Sequence, residues 1–430
     1  MALTSTDRRI VSLAIPALGT LAVEPLYRLA DTAIVGRLGT AELGGLAIAA
    51  SILALVVAGS NFLTYGTTER VASRLGAGRP AEAADVGVQA MWIGLLVAVV
   101  AVPALILGAR PAASALGADG DVAEVAVEYL RIAALGLPFV LVALAAQGVQ
   151  RGASDYRTPL VILVAANVVN VVVELVLVFG FDLGIAGAAW STVIAQTGAG
   201  LAFLAVIRRR LSRATVRHPS WRGMAPLLTA GRHLLLRVGS MLAVFTGATA
   251  IAARIDEPTL AAHQIAITMF LFLALVLDAL AVPAQTLVAE GLGRAATDGA
   301  HVAQRVVRLS MVAGITLAAL VAATSPLLPR VFSEDAAVIE LATVALLFLA
   351  LLLVPGAAAF AYDGILIGAA DYRFLGLAAL GYLVAVAPIA VAVLATPSLG
   401  IAGIWLGLSL WMLLRAIVNR RRTAHVLPSS

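Results

Sequence analysis

Cysteine and lysine are absent from this chain of 430 residues, and charged residues of every kind are scarce. Without cysteine, the protein has no thiol nucleophile, no disulfide and no cysteine-ligated metal. Only 12% of the residues are charged and 61% are hydrophobic, whereas soluble domains average about 25% charged residues. So few charges cannot cover a water-facing surface. The composition excludes soluble, disordered and disulfide-stapled classes and predicts an all-α polytopic membrane protein.

Long apolar segments recur along the whole chain. A helix of about 20 apolar residues crosses the hydrocarbon core of a bilayer, and on this basis the sequence predicts twelve transmembrane helices. The first is too long for a signal peptide, so we keep it as a helix. The predicted spans are 10–37, 43–72, 86–109, 122–149, 158–180, 184–207, 227–253, 259–290, 303–328, 337–367, 374–395 and 398–419.

The arginines are unevenly shared between the two sides of these spans. Twenty-one of the 29 fall on the side that holds both termini and the even-numbered loops, and four fall in the opposite loops. Because basic loops stay in the cytoplasm, we expect both termini to be cytoplasmic, in the plasma (inner) membrane of a bacterium. The basic run from Arg208 to Arg222 belongs to this topology signal, so no nucleic-acid partner is expected.

Two halves of the chain repeat each other at an offset of 216–217 residues. Four matches in one order at nearly one offset indicate a duplication. The matched segments are 183–187 with 399–403, 152–157 with 368–373, 37–48 with 254–265, and 75–76 with 292–293.

Each copy holds six predicted helices, an even number, so both copies have the same orientation in the membrane. This is the parallel-repeat plan of many transporters, although a channel or a scaffold could share it. The sequence therefore predicts two pseudo-symmetric six-helix bundles: an N-terminal lobe at 1–210, a basic cytoplasmic linker at 211–226 and a C-terminal lobe at 227–430.

A few ionisable residues fall deep inside the apolar spans. A carboxylate at the bilayer centre costs about 2.5–3.5 kcal/mol, so such residues usually face a cavity or a partner. The deep ionisable residues are Glu24, Arg28, Asp31, Glu174, Asp278 and Asp363.

The first span carries Glu24, Arg28 and Asp31 on one helical face. Glu24 precedes Arg28 by four residues, which is the favourable order for an ion pair. Asp31 is then either a spare partner for Arg28 or a group that exchanges a proton. Pro16 and Pro25 are expected to kink this helix, since proline cannot donate its backbone hydrogen bond.

The fifth span carries Asn167, Asn170 and Glu174 on one face. Amides beside a lone carboxyl group could hold a proton or a water chain, or they could simply join neighbouring helices. Asn61 in the second span, with Thr64 and Thr68, permits the same two interpretations.

The first lobe therefore collects a polar cluster, whereas the second lobe offers only single acids, Asp278 and Asp363. We treat these two acids as candidate cation contacts.

Catalytic and metal-binding patterns are not found in the sequence. The five histidines are scattered without metal-ligand spacing, and the loop at 76–78 lacks the preceding strand and the Lys-Ser/Thr of a phosphate-binding loop. We expect no catalytic residue, no metal and no cofactor, and hence no enzyme.

Residues 24–39, with the element Asp31-Thr32-x-x-Val35-Gly36-x-Leu38-Gly39, resemble the multidrug and toxic compound extrusion (MATE) family, in its DinF-like branch. The loop at 76–79, the segment 362–364 and the segment 368–371 are similar to the same branch. The resemblance covers all twelve predicted helices.

The resemblance implies an antiporter of two six-helix lobes that exports bulky, often cationic, organic compounds against protons or sodium. It assigns the ion site to Asp31 on the first helix and to Asn170 and Glu174 on the fifth, where glutamate replaces the aspartate of the family pattern. Pro16 matches the proline at which the first helix bends on protonation. Asp278 resembles an acid of the eighth helix.

The sequence-based hypothesis is thus proton-driven export of lipophilic or cationic small molecules by alternating access, with sodium as the alternative ion. The substrate would lie between the lobes of a monomer. Two rivals stay open: a flippase for lipids or polysaccharide precursors, which would normally show more helices and a cationic cavity, and a scaffold without transport.

Overall fold

The computed structural model describes residues 4–427, apart from the side chains of residues 296 and 297. Within this range the chain forms fourteen α-helices. They are α1 (Ser5–Val35), α2 (Thr40–Ser60), α3 (Phe62–Gly76), α4 (Pro80–Ala115), α5 (Gly120–Ala133), α6 (Leu137–Gly152), α7 (Arg157–Leu175), α8 (Gly184–Leu211), α9 (Trp221–Ile255), α10 (Glu257–Arg294), α11 (Ala296–Thr324), α12 (Ala336–Gly368), α13 (Tyr372–Ala395) and α14 (Gly400–Val426).

Among the described residues, twelve helical segments are long and apolar enough to cross a bilayer. The predicted number of spans is therefore confirmed, but several helices are longer than predicted. The seventh begins at Trp221 instead of residue 227, and the twelfth ends at Val426 instead of residue 419. A hydropathy scan finds only the apolar part of a helix, whereas these helices continue through arginine-rich turns beyond it.

Two spans are interrupted. The second breaks at Asn61, between α2 and α3, and the fourth contains a 3₁₀ turn at Ala134–Gly136, between α5 and α6. Pro138 follows that turn at the start of α6, where a missing backbone donor costs little because the first amides of a helix have no partner within it.

Contacts divide the chain into two compact units. The first unit is Gly19–Gly231, and the second unit joins the chain up to Leu18 to the chain from Arg232 onward. The sequence placed residues 1–18 in the N-terminal lobe, whereas the contacts group the chain up to Leu18 with the second unit. Ile10 packs against Ala284 and Val306 in the second unit. The sequence pattern does not reveal such contacts between residues far apart in the chain.

Polar side chains of α4 hold the segment between α8 and α9 within the first unit. Asp85 accepts hydrogen bonds from the backbone amides of Thr215 and Val216 at 2.7 and 2.8 Å. One turn further along α4, Gln89 donates to the carbonyl of His218 at 2.9 Å and accepts from the amide of Ser220 at 2.8 Å. The segment that we predicted as a linker is therefore fixed to α4 over this stretch.

A close helix contact shapes the first unit next to Glu174. α7 ends in a π-helical turn at Val176–Gly180, and α8 packs against that turn. A Cβ atom added at Gly187 would lie 3.0 Å from the carbonyl carbon of Leu177 and 3.1 Å from the amide nitrogen of Val178. Glycine at this position lets the two backbones approach each other.

Gly187→Val is expected to destabilise the protein by about 1–3 kcal/mol, because the new side chain overlaps backbone that has no room to move. Gly198→Val on the same helix is the matched control, since a Cβ atom there meets nothing within 4 Å. Thermal unfolding of the purified variants in detergent measures the difference. Equal unfolding midpoints for the two variants would show that the backbones of α8 and the π-helical turn are not closely packed at Gly187.

Candidate functional site

α1 and α7 bring Asp31, Asn170 and Glu174 into the interior of the first unit. Their exposed fractions are 6%, 1% and 0%, respectively. Asn170 and Glu174 are four residues apart and therefore share one face of α7. The three residues that the sequence assigned to ion coupling are all buried.

The carboxyl groups of Asp31 and Glu174 lie close enough to act on each other directly. Within residues 4–427, no other donor reaches Asp31 Oδ1 or either carboxyl oxygen of Glu174. Two ionised carboxylates are both acceptors, so a hydrogen bond between them requires that one of them carries a proton. The two side chains thus form a pair that can share one proton.

Burial without donors makes the doubly ionised form of this pair costly. A buried charge is tolerated when a counter-charge or hydrogen bonds replace its water. The neighbouring cation of α1, Arg28, is bonded instead to Glu24, at 2.7 Å, and both of these side chains are exposed. The pair is therefore suited to take up a proton or another small cation and to release it.

Asn170 connects the carboxyl pair to α8. Its Nδ2 atom donates to Ser191 Oγ at 3.4 Å, and Ser191 in turn donates to the carbonyl of Ala188 at 2.7 Å. The Oδ1 atom of Asn170 is buried and, in the described part of the chain, has no donor. An amide oxygen held in this way can accept a hydrogen bond from a protonated carboxyl group or can ligate a cation.

Two tyrosine hydroxyls meet a threonine beside the pair. Tyr27, one turn before Asp31 on α1, lies 3.1 Å from Thr192 Oγ1, and Tyr129 lies 3.2 Å from the same atom. The sequence analysis missed Tyr27, Tyr129, Ser191 and Thr192, because isolated hydroxyl residues in apolar helices are more often helix contacts. The available signal for Tyr27 was its four-residue spacing from Asp31 along α1. For Ser191 and Thr192 it was their position in α8, just after the repeated segment 183–187.

The other polar residues predicted in the first lobe have structural contacts. Glu24 and Arg28 form the expected ion pair, and the charge of Arg28 also acts on Asp31. Asn167 donates to the carbonyl of Val23 on α1 at 3.4 Å, which joins two helices. Asn61 lies at the break between α2 and α3, and Thr64 nearby donates to the carbonyl of Leu144 at 2.9 Å.

Asp363 in the second unit, which the sequence analysis treated as a single acid and a candidate cation contact, is paired with two arginines. Arg237 and Arg415 donate to its Oδ2 atom at 2.5 and 2.7 Å, and Asn419 donates to its Oδ1 atom at 2.6 Å. Tyr382 donates to Asn419 Oδ1 at 2.7 Å. With both oxygens engaged by donors, Asp363 is not a free contact for a cation.

Arg415 is the most deeply buried cation of this cluster. Its side chain is 3% exposed, and its guanidinium lies 4.6 Å from the ring centroid of Trp411. Asp278 is partly buried and lies in the electrostatic field of Asp363 and both arginines. Two acids and two arginines therefore leave the cluster close to neutral, and the role of Asp278 remains a prediction.

Twelve helical segments long enough to span a membrane and a buried pair of carboxyl groups, all within residues 4–427, are typical of a helical membrane transporter. A sequence model of the MatE family matches residues 16–176 and 238–394, which is most of the chain. The chain belongs to this family, as its motifs led us to expect.

Two curated relatives cover nearly all of the chain. Protein DETOXIFICATION 44, chloroplastic, of Arabidopsis thaliana is 32% identical over 96% of this chain and 81% of its own length. DNA damage-inducible protein F of Escherichia coli (strain K12) is 28% identical over 96% of this chain and 91% of its own length. The resemblance to the DinF-like branch is thus confirmed.

Solved structures have the same fold. A crystal structure of a MATE protein in the bent conformation superposes with a TM-score of 0.91 at 20% identity, covering 98% of this chain and 96% of that one. A multidrug resistance MATE family transporter in an outward-facing conformation superposes with a TM-score of 0.86 at 20% identity, over 98% and 97% of the two chains.

Proposed function

We propose that the protein exports lipophilic, cationic organic compounds across the plasma membrane of a bacterium in exchange for protons, by alternating access. The observation that carries the proposal is the buried pair of Asp31 and Glu174, whose buried oxygens have no hydrogen-bond donor among the described residues, while the nearby Arg28 is ion-paired with Glu24. Two relatives bear the name "Probable multidrug resistance protein NorM", which supports the substrate class.

Asp31 and Glu174 would exchange the proton, and Asn170, held by Ser191, would tune the exchange. Exchange of one proton for one monovalent cation moves no net charge, so the pH gradient drives it. One pH unit is a tenfold ratio of proton concentrations, worth about 1.4 kcal/mol, and can sustain roughly a tenfold concentration ratio of the substrate. Export would then need no nucleotide and no cofactor.

Sodium is the alternative ion. Hard cations prefer oxygen ligands, and Asp31, Asn170 and Glu174 contribute buried oxygens without donors from the described residues. Glutamate at 174 reaches one methylene further than the aspartate of the family pattern, which changes the space left for an ion between the two carboxyl groups.

The test uses everted membrane vesicles that hold a preformed pH gradient, acid inside, reported by a fluorescent amine. Adding tetraphenylphosphonium is expected to dissipate the gradient in vesicles that contain the protein and not in matched vesicles that lack it. Replacing the pH gradient by a sodium gradient identifies the ion. If neither gradient drives movement of tetraphenylphosphonium, export of lipophilic cations is wrong, and assays with lipid substrates would examine the flippase alternative.

Pro16→Ala is expected to slow turnover several-fold while leaving ion binding intact. Pro16 lies two residues before the point within α1 at which the contacts change from one unit to the other. Alanine would restore the missing backbone donor and stiffen the helix there. Initial transport rate and half-saturating proton concentration, measured together, separate the two effects. Unchanged rates would mean that α1 does not bend at Pro16 during transport.

A further inference from the structure

The second unit contains an apolar cavity of about 210 Å³ between α9, α13 and α14. Small and aliphatic side chains line it, among them Val244, Ala248, Val386, Ala390 and Gly407. None of the residues that line it is charged. The pocket beside Asp363 is a separate one, lined by different residues.

The internal duplication shows which part of the first repeat corresponds to this cavity. In the first and seventh spans the offset between the repeats is 217 residues, as in the match of Arg37 with Arg254. The same offset carries Tyr27 to Val244 and Asp31 to Ala248. Both of these counterparts line the cavity.

The repeat offset also carries the remaining residues of the candidate ion site to residues that line the cavity. From the fifth to the eleventh span and from the sixth to the twelfth, the offset is 216 residues. This offset carries Asn170 to Val386, Glu174 to Ala390 and Ser191 to Gly407, which also line the cavity. The cavity is therefore the repeat counterpart of the ion site, with each of these polar side chains replaced by hydrogen, methyl or isopropyl.

We infer that this cavity is a binding site for an uncharged apolar group, the aliphatic chain or aromatic ring of the transported compound. Replacing the five polar side chains removes every group that held an ion and leaves space in its place. An apolar cavity of about 150 Å³ stays dry and binds benzene or xenon, so the larger cavity here accommodates a ring or a short chain.

The two halves of the duplicated fold then carry out different tasks at equivalent positions. The first unit binds the driving ion at Asp31 and Glu174, and the second unit binds hydrocarbon. A charged group would lose its hydration in this cavity without compensation, so the cationic end of a substrate lies outside it. The role in transport rests on the proposed function, whereas binding of an apolar probe does not.

Gly247 offers a way to fill the cavity. It lines the cavity, and a Cβ atom added there meets nothing within 4 Å. Gly247→Leu therefore places a side chain in empty space. Gly239→Leu is the matched control, because Gly239 lies on the same helix, is exposed and likewise leaves room for a Cβ atom.

The first measurement is anomalous diffraction from crystals pressurised with xenon. We expect a xenon peak in the cavity of the wild-type protein and of Gly239→Leu, and no peak there in Gly247→Leu. A wild-type cavity without xenon would overturn the proposal, as would a peak that persists unchanged in Gly247→Leu. This result does not depend on transport.

The second measurement compares transport of methyl-, butyl- and hexyl-triphenylphosphonium in vesicles. Each buried methylene is expected to lower the half-saturating concentration roughly fourfold, and Gly247→Leu should flatten this dependence while Gly239→Leu retains it. The comparison between variants cancels partitioning into lipid. If both variants keep the wild-type dependence, the substrate does not enter the cavity and the proposal fails. If no phosphonium is transported by any of the proteins, the proposed function fails, and the xenon result still decides whether the cavity binds apolar groups.

Discussion

Glu174→Gln and Asp31→Asn are each expected to abolish coupled transport. Both changes keep the shape of the side chain and remove the carboxyl group that takes up a proton. Without a coupled proton, the concentration ratio that the protein can sustain falls from roughly tenfold per unit of pH gradient to about onefold. Steady-state accumulation of tetraphenylphosphonium in energised everted vesicles measures this ratio.

Exposed acids on α5 supply matched controls for these two changes. Glu128→Gln and Asp121→Asn make the same chemical substitutions at residues on the protein surface, and both should accumulate the cation as the wild type does. Normal accumulation by either Glu174→Gln or Asp31→Asn would contradict the role assigned to that carboxyl group.

Asp363→Leu is expected to lower the stability of the protein by about 3–5 kcal/mol, because it leaves Arg415 buried without its carboxylate. For a protein unit of this size such a loss corresponds to a decrease in the unfolding midpoint of roughly 10 °C. Thermal unfolding in detergent, followed by the fraction that remains monodisperse, measures the change.

A double variant tests the cause of this loss. Asp363→Leu combined with Arg415→Met removes both buried charges and should recover part of the stability, because a well-packed apolar pair can replace a buried ion pair. Arg420→Met is the control, since Arg420 is exposed on the same helix and its loss should be nearly neutral. A double variant less stable than Asp363→Leu alone would contradict the pairing of Asp363 with Arg415.

The spans and the candidate ion-site residues could be predicted from the sequence because both leave periodic signals. Asn170 and Glu174 stand four residues apart in a helix that is otherwise apolar, and Asp31 stands in a motif of the family. The structure confirmed that all three are buried together. Helical spacing shows that Asn170 and Glu174 lie on the same face of their helix. The family pattern indicated that Asp31, on another helix, belongs with them.

The partners of Asp363 could not be found in this way. Arg237, Arg415 and Asn419 lie on two other spans, at sequence separations of 126, 52 and 56 residues. No helical period links residues on different helices, and the counterparts of these residues in the first repeat have different chemistry. Arg237 and Arg415 fall within apolar spans, and the rule that intramembrane charges have partners was the available signal for them.

The apolar cavity also escaped the sequence analysis, for a related reason. Alanine, valine and glycine are common in membrane helices and do not by themselves indicate a site. They become informative when the repeat offset aligns them with Asp31, Asn170 and Glu174. The duplication was visible in the sequence. The empty space at the equivalent position was visible only in the structure.

Proton release on substrate binding tests the central claim most directly. Purified protein in lightly buffered detergent solution, with a pH-indicator dye, is mixed with tetraphenylphosphonium at a pH where the carboxyl pair holds its proton. Because antiport requires the ion and the substrate to oppose each other's binding, the wild type should release about one proton per molecule. The Asp31→Asn/Glu174→Gln double variant should release none. Equal release by both proteins, or none by the wild type, would contradict the assignment of ion coupling to these two residues.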